Sequence, residues 1–175
     1  MRLTFKGTAV LVLLMFAGLF VYQIYDLFGA ESQSGDAKRL LYQVCLFQME
    51  ILNSLLNDAA RLQNTDQLND LKQAVYSANY AHERLVQAFG ENHLTTLNSI
   101  PQMLQYIIRL QIGGDRALSK DEADTLRQAG EQFSEMYAVY GKLLSSGGSV
   151  FSSQNDKLKS IDQNIYRLLH GKLLE

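Results

Sequence analysis

From Gly7 to Tyr25 the chain reads GTAVLVLLMFAGLFVYQIY, 19 residues without a charged side chain, and an uncharged run of that length has few places to go except a lipid bilayer. Continued as a helix to Phe28 it measures roughly 33 Å, enough to cross a hydrocarbon core of about 30 Å. Arg2 and Lys6 precede the run, while Asp26 and Glu31 follow it. That asymmetry puts residues 1–6 in the cytoplasm and the rest of the chain outside. Tyr22 and Tyr25 fall at the outer boundary, where a ring can keep its hydroxyl among the headgroups. The expected layout is a cytoplasmic N-terminus at 1–6, a transmembrane signal-anchor helix at 7–28, a polar spacer at 29–36 and an extracytoplasmic helical bundle over 37–175.

A cleaved secretory signal also begins with basic residues and an apolar stretch. The run here exceeds the ~7 to 15 apolar residues of such a signal, and bulky Phe28 occupies the place in Phe28-Gly29-Ala30 where cleavage prefers a small side chain. No Cys closes the run, so lipid attachment has no acceptor, and no Gly-x-x-x-Gly pair offers close helix packing within the bilayer.

Beyond the spacer the pattern turns to helical periodicity and keeps it. One Pro, one Cys and no Trp exclude collagen-like, Pro-rich and disulfide-stapled classes, and a net charge of -2 without a long basic run argues against nucleic-acid binding. Asp36 is the expected N-cap of a first helix carrying Leu40, Leu41, Val44, Cys45, Phe47, Ile51, Leu52, Leu55, Leu56, Ala59 and Leu62. So wide a stripe predicts a central position. Asn64-Thr65-Asp66 breaks the pattern and caps a second helix with Leu68, Leu71, Val75, Ala78, Leu85 and Phe89, closed by Gly90. Ser99 opens a third, with Pro101 in its first turn and Ile100, Met103, Leu104, Ile107, Ile108 and Leu110 behind it. Ser119-Lys120-Asp121-Glu122 reads as a capping box for a fourth helix running to Leu144. A fifth spans about 153–170. Short connections between amphipathic helices predict an all-α, up-and-down antiparallel bundle of four to five helices, with the Gly-bearing linkers near 114 and 147 as its mobile points.

Motifs for chemistry fail on spacing. His82-Glu83 opens a zinc motif whose second histidine would stand at residue 86, which is Val. Glu91 and His93 lack the spacing of a di-iron ligand pair, and His170 sits where a cation can satisfy terminal carbonyls. The three histidines are therefore expected on the surface or in caps. Taking Glu122 as the last ligand of a calcium loop leaves Gln111, Gly113 and Arg116 where two carboxylates and a glycine belong. Cys45, among apolar neighbours, reads as a buried spacer. No nucleophile motif is present, so no catalytic residue, metal or cofactor is expected.

The tyrosines are the remaining candidates. Tyr76 and Tyr80 lie one turn apart outside the second helix's apolar stripe, with Arg84 a turn further, and Tyr137 and Tyr140 share a face of the fourth. Rings that carry a hydroxyl anchor partners or stack on ligands, so these five residues are the expected partner-binding set, with Arg109 as a further cation. The layout, an anchor before a helical exported domain, is similar to the sensing ectodomains of chemoreceptors and sensor kinases and to anchored helical envelope proteins. No second apolar span follows, so direct transmembrane signalling is not expected. The sequence points to a non-enzymatic interaction or adaptor module of the cell envelope, tethered to membrane lipid by its N-terminal helix and binding an envelope protein or its own copy. The alternative is a small-ligand-sensing bundle that signals through a membrane partner; an enzyme with an unrecognised site comes third.

Overall fold

Helical periodicity becomes helix throughout the computed structural model, which describes residues 35–59 and 61–174. The expected transmembrane segment 7–28 lies outside the described residues; among those described, no helix is long and apolar enough to cross a membrane. Residues 35–59 form α1. A 3-10 turn at Thr65–Leu68 leads into α2 (Asn69–Phe89), followed by α3 (Ser99–Gln111), α4 (Lys120–Tyr140) and α5 (Ser152–Leu174). The described chain is all-helical, with extended pairing limited to two isolated bridges, Asn64 with Ala117 and Leu144 with Val150.

Side-chain pairs fix how the helices run within the unit Lys38–Glu175. Tyr42 bonds to the Tyr140 carbonyl and Asn53 meets Ser134, so α1 and α4 are antiparallel. Lys72 reaches Gln111 near the start of α2 and the end of α3, while Ser99 meets Asp162 and Arg109 meets Lys172, which makes α3 and α5 parallel. Each helix sends residues to one core, including Leu52 and Leu56, Val75 and Leu85, Met103 and Ile107, Phe133 and Met136, and Ile165 and Leu169, all fully buried. Among the described glycines the closest approach is at Gly130, where an added Cβ would stand 3.1 Å from the Leu56 carbonyl oxygen. A larger residue would have to push the Leu56 backbone back by a few tenths of an ångström, so α4 lies directly on the α1 backbone.

Helix ends are closed in two ways. The local way is the Ser119 capping box: the Ser119 hydroxyl accepts from the Glu122 N–H at 3.2 Å, and Glu122 accepts from the Ser119 N–H at 2.8 Å. Arg116 grips the same carboxylate with two N–H groups at 2.9 and 2.6 Å, and this holds the Glu122 carboxyl down at about 2. The non-local way is at α3. Ser99 is buried but its hydroxyl has no partner, and the capping acceptor comes instead from Asp162 of α5. Its two oxygens accept from the Asn98 and Ser99 N–H groups at 3.1 and 2.8 Å. A buried carboxylate is tolerable here because it faces free amides at the positive end of a helix.

Several boundaries differ from the sequence reading. Residue 35 is already helical, so Asp36 lies within α1 and is not its N-cap, and the spacer is correspondingly shorter. α4 stops at Tyr140, four residues early, because a turn of 3-10 type at residues 142–143 turns Leu143 into the core. α5 continues through Gly171 to Leu174, so His170 sits inside a helix, stacked on Tyr166 at 5.3 Å, and caps nothing. The linker near 147 is tied by a Ser145 N–H bond to the Ser149 carbonyl at 2.9 Å. Most consequential is α1, expected to be buried on a wide stripe: Leu40, Val44 and Phe47 are exposed, and Ile108 of α3 is too.

Asp162→Ala is expected to destabilise the domain by about 2 to 3 kcal/mol, because two amides at the buried start of α3 lose a charged acceptor. Chemical denaturation checks this, and Asp162→Asn should recover part of the loss by keeping one acceptor.

Candidate functional site

Inner and outer faces of α2 differ in size as well as polarity. Ala74, Ala78 and Ala81 point inward with Leu71, Val75 and Leu85, letting neighbouring helices come close, while the two large rings Tyr76 and Tyr80 stand in solvent. The Arg84 guanidinium lies over the Tyr80 ring, 4.9 Å from its centroid, and donates to Gln87 at 2.9 Å. Cation and ring hold each other in place, which leaves a ready-made aromatic and cationic strip along α2. Tyr76, Tyr80 and Arg84 therefore occupy one exposed run of this helix.

Tyr137 and Tyr140 do not join it. Tyr137 is half-buried against the core edge, and Tyr140 has no exposed surface. This corrects the reading of Tyr140 as a partner contact: its spacing from Phe133 and Met136, seven and four residues, puts it on the buried stripe of α4. Arg109, the other candidate cation, donates to the Lys172 carbonyl at 2.7 Å and so closes the end of α5.

Tyr140 belongs to an internal polar cluster. The Thr95 carbonyl can only accept, so the His82 Nε2–H donates to it at 2.9 Å, and the Nδ1 lone pair receives the Tyr140 O–H at 3.0 Å. Tyr42 stacks on Tyr140 with centroids 6.0 Å apart, and its hydroxyl donates to the Tyr140 carbonyl at 2.6 Å. The Cys45 thiol donates to the Ala81 carbonyl at 3.1 Å. Burial pushes the Cys45 thiol up to about 11, raises Tyr140 well above an ordinary phenol, and lowers the His82 imidazole to about 4. Cys45 is thus the buried spacer expected. His82 is not the surface histidine expected, because its position four residues after Ala78 and three before Leu85 turns it inward.

With both ring nitrogens engaged in neutral hydrogen bonds, His82 is arranged for structure and has no lone pair left for an ion. Glu83, its neighbour in the failed zinc motif, points outward and accepts from Asn79 at 2.8 Å. Among the described residues no three His, Cys, Asp or Glu side chains group as a metal site would require. Among the open clefts, one of about 260 Å³ is lined by His82 together with Asn79, Glu83, Gln87 and Pro101, and one of about 360 Å³ lies beside Arg109, Arg116, Asp121 and Lys172. In the second cleft the charged groups are largely committed to one another, as in the pairs Arg116 with Glu122 and Lys172 with Asp121. No family model, curated protein or solved structure matches the chain.

The lowered His82 basicity sets a pH dependence. Unfolding frees an imidazole that binds a proton near 6.5, whereas the folded one resists until about 4. His82 therefore adds no penalty above pH 6.5, and the folded state loses stability as pH falls from 6.5 towards 4, by roughly 3 kcal/mol in all. Denaturant titrations across that range should show the decline, and His82→Gln should flatten it.

Proposed function

We propose that the chain is a non-enzymatic, membrane-anchored interaction module of the cell envelope, an up-and-down helical bundle held outside the membrane by a transmembrane helix at 7–28. The observation that supports this reading is where the bundle leaves large apolar side chains in solvent. Leu40, Val44 and Phe47 of α1 are 63, 53 and 57% exposed, and Tyr76 and Tyr80 of α2 are 59 and 54% exposed. These two helices are in contact, since Cys45 of one bonds to Ala81 of the other. Large exposed apolar groups on each of two neighbouring helices support a role in binding another protein. The strip of Tyr76, Tyr80 and Arg84 has the residue types that dominate binding energy at interfaces.

A second reading, a bundle that senses a small ligand, draws on the cleft of about 260 Å³ between α2 and the segment before α3. It predicts saturable thermal stabilisation by a small molecule, with no dependence on the tyrosines.

Cross-linking the full-length protein in its native membrane tests the first reading. A stoichiometric partner should be captured by the native chain and lost with Tyr76→Ala plus Tyr80→Ala, an affinity change of about 2 kcal/mol or more. Helicity and thermal stability should stay close to native, since both rings are exposed. A capture that survives the double substitution would remove the tyrosine strip from the interface.

A further inference from the structure

His82 stands between two different environments. On its inner side both ring nitrogens are committed, Nε2–H to the Thr95 carbonyl at 2.9 Å and Nδ1 to the Tyr140 hydroxyl at 3.0 Å. On its outer side the residue forms part of the wall of the cleft of about 260 Å³, although only 2% of it reaches solvent. The described residues that line this cleft include Glu83 and Glu91 and the amides of Asn79, Gln87 and Asn98, with no Lys or Arg among them. A buried titratable ring therefore has open space with two carboxylates directly beside it.

We infer that His82 is an acid-operated latch: once protonated, its ring leaves Tyr140 and Thr95 and turns into the cleft, towards Glu83 and Glu91. The inner position is built for a neutral ring. A second proton sits on Nδ1 and removes the lone pair that accepts from Tyr140, so the hydroxyl of a fully buried phenol loses its acceptor. No inner neighbour offers a compensating charge. From α4 the ring meets the Tyr140 phenol, and behind it lies the Cys45 thiol of α1; burial keeps both protonated. From the segment before α3 it meets the Thr95 carbonyl, whose own N–H is held by Asn155 of α5. α3 brings only Pro101 to the cleft. The other charges around it are outward or committed: Arg84 is 4.0 Å from Glu83 and lies over Tyr80, while Lys159 and Asp162 of α5 share a separate groove with Glu91, and Asp162 holds the start of α3. An imidazolium thus gains water and opposite charge only on the cleft side. The buried ring resists its proton until about 4, whereas a ring in water binds it near 6.5. At pH 5 that difference raises the outward population about thirtyfold over its neutral-pH value. Because Tyr140 also carries Tyr42, release of the latch loosens the place where α1, α2 and α4 meet.

The test follows the full-length chain, labelled with nitrogen-15 histidine in detergent micelles, by NMR and circular dichroism from about pH 7.5 to 4. His93→Gln and His170→Gln, both at exposed positions, leave one imidazole to observe. At the start the ring should be the neutral Nε2–H tautomer in contact with the Tyr140 ring. On acidification it should become imidazolium while helicity is unchanged, and its cross-relaxation with the Tyr140 ring should vanish in the same step. Glu83→Gln plus Glu91→Gln removes the outer charges without touching Tyr140 or Thr95, and should lower the midpoint by roughly half a pH unit or more. Protonation that coincides with loss of helicity would overturn the latch, since the ring would then be released only by unfolding. A protonated ring still in contact with Tyr140, a midpoint indifferent to the double substitution, or a ring neutral throughout would overturn it equally.

Discussion

A neutral imidazole held between a phenol and a backbone carbonyl is the contact that ties the bundle together at its α1–α2–α4 end. His82 connects Tyr140 at the end of α4 to Thr95 in the segment before α3. Tyr140 in turn carries Tyr42 of α1 on its ring and on its carbonyl. His82 and Tyr140 are buried and their polar atoms are matched, so the cluster fixes one arrangement of four chain segments where an apolar patch would allow several. The same burial forbids a charge on the ring, so the rigidity that the cluster gives is available only while His82 stays neutral.

What could be read from the sequence divides along the distance between partners. The α4 capping box was legible because Ser119 and Glu122 are three residues apart and close their hydrogen bonds without help from the fold. The cap of α3 was not, because its acceptor, Asp162, lies 63 residues from Ser99 and nothing local marks it. The positions of His82 and Tyr140 were available in principle: both fall on the apolar period of their helices, and assigning them by residue type over position sent them to the surface. Helix α1 shows the opposite limit. Periodicity registered that both of its faces are apolar, and it could not say that the bundle would use only one.

That division bears on the surface as well. A bundle spends its small residues where backbones must approach, as at Gly130 and along the alanines of α2, and this pushes the large rings of α2 outward. Exposed Tyr76 and Tyr80 are thus compatible with tight packing behind them, and the outer faces of α1 and α2 are free to vary without disturbing the core. Within the described residues the chemistry that is buried serves architecture, while the groups left in solvent are those suited to contact.

Cys45 gives the native chain an internal clock. Its thiol is sealed between α1 and α2 and is held protonated at neutral pH, so a soluble alkylating reagent meets a reactive thiolate only after the two helices have parted. With one cysteine in the sequence, every modification event counts one opening of that seam. Where reclosing outpaces the reagent, the rate of labelling under native conditions therefore reads how much of the chain has α1 parted from α2, without any engineered probe.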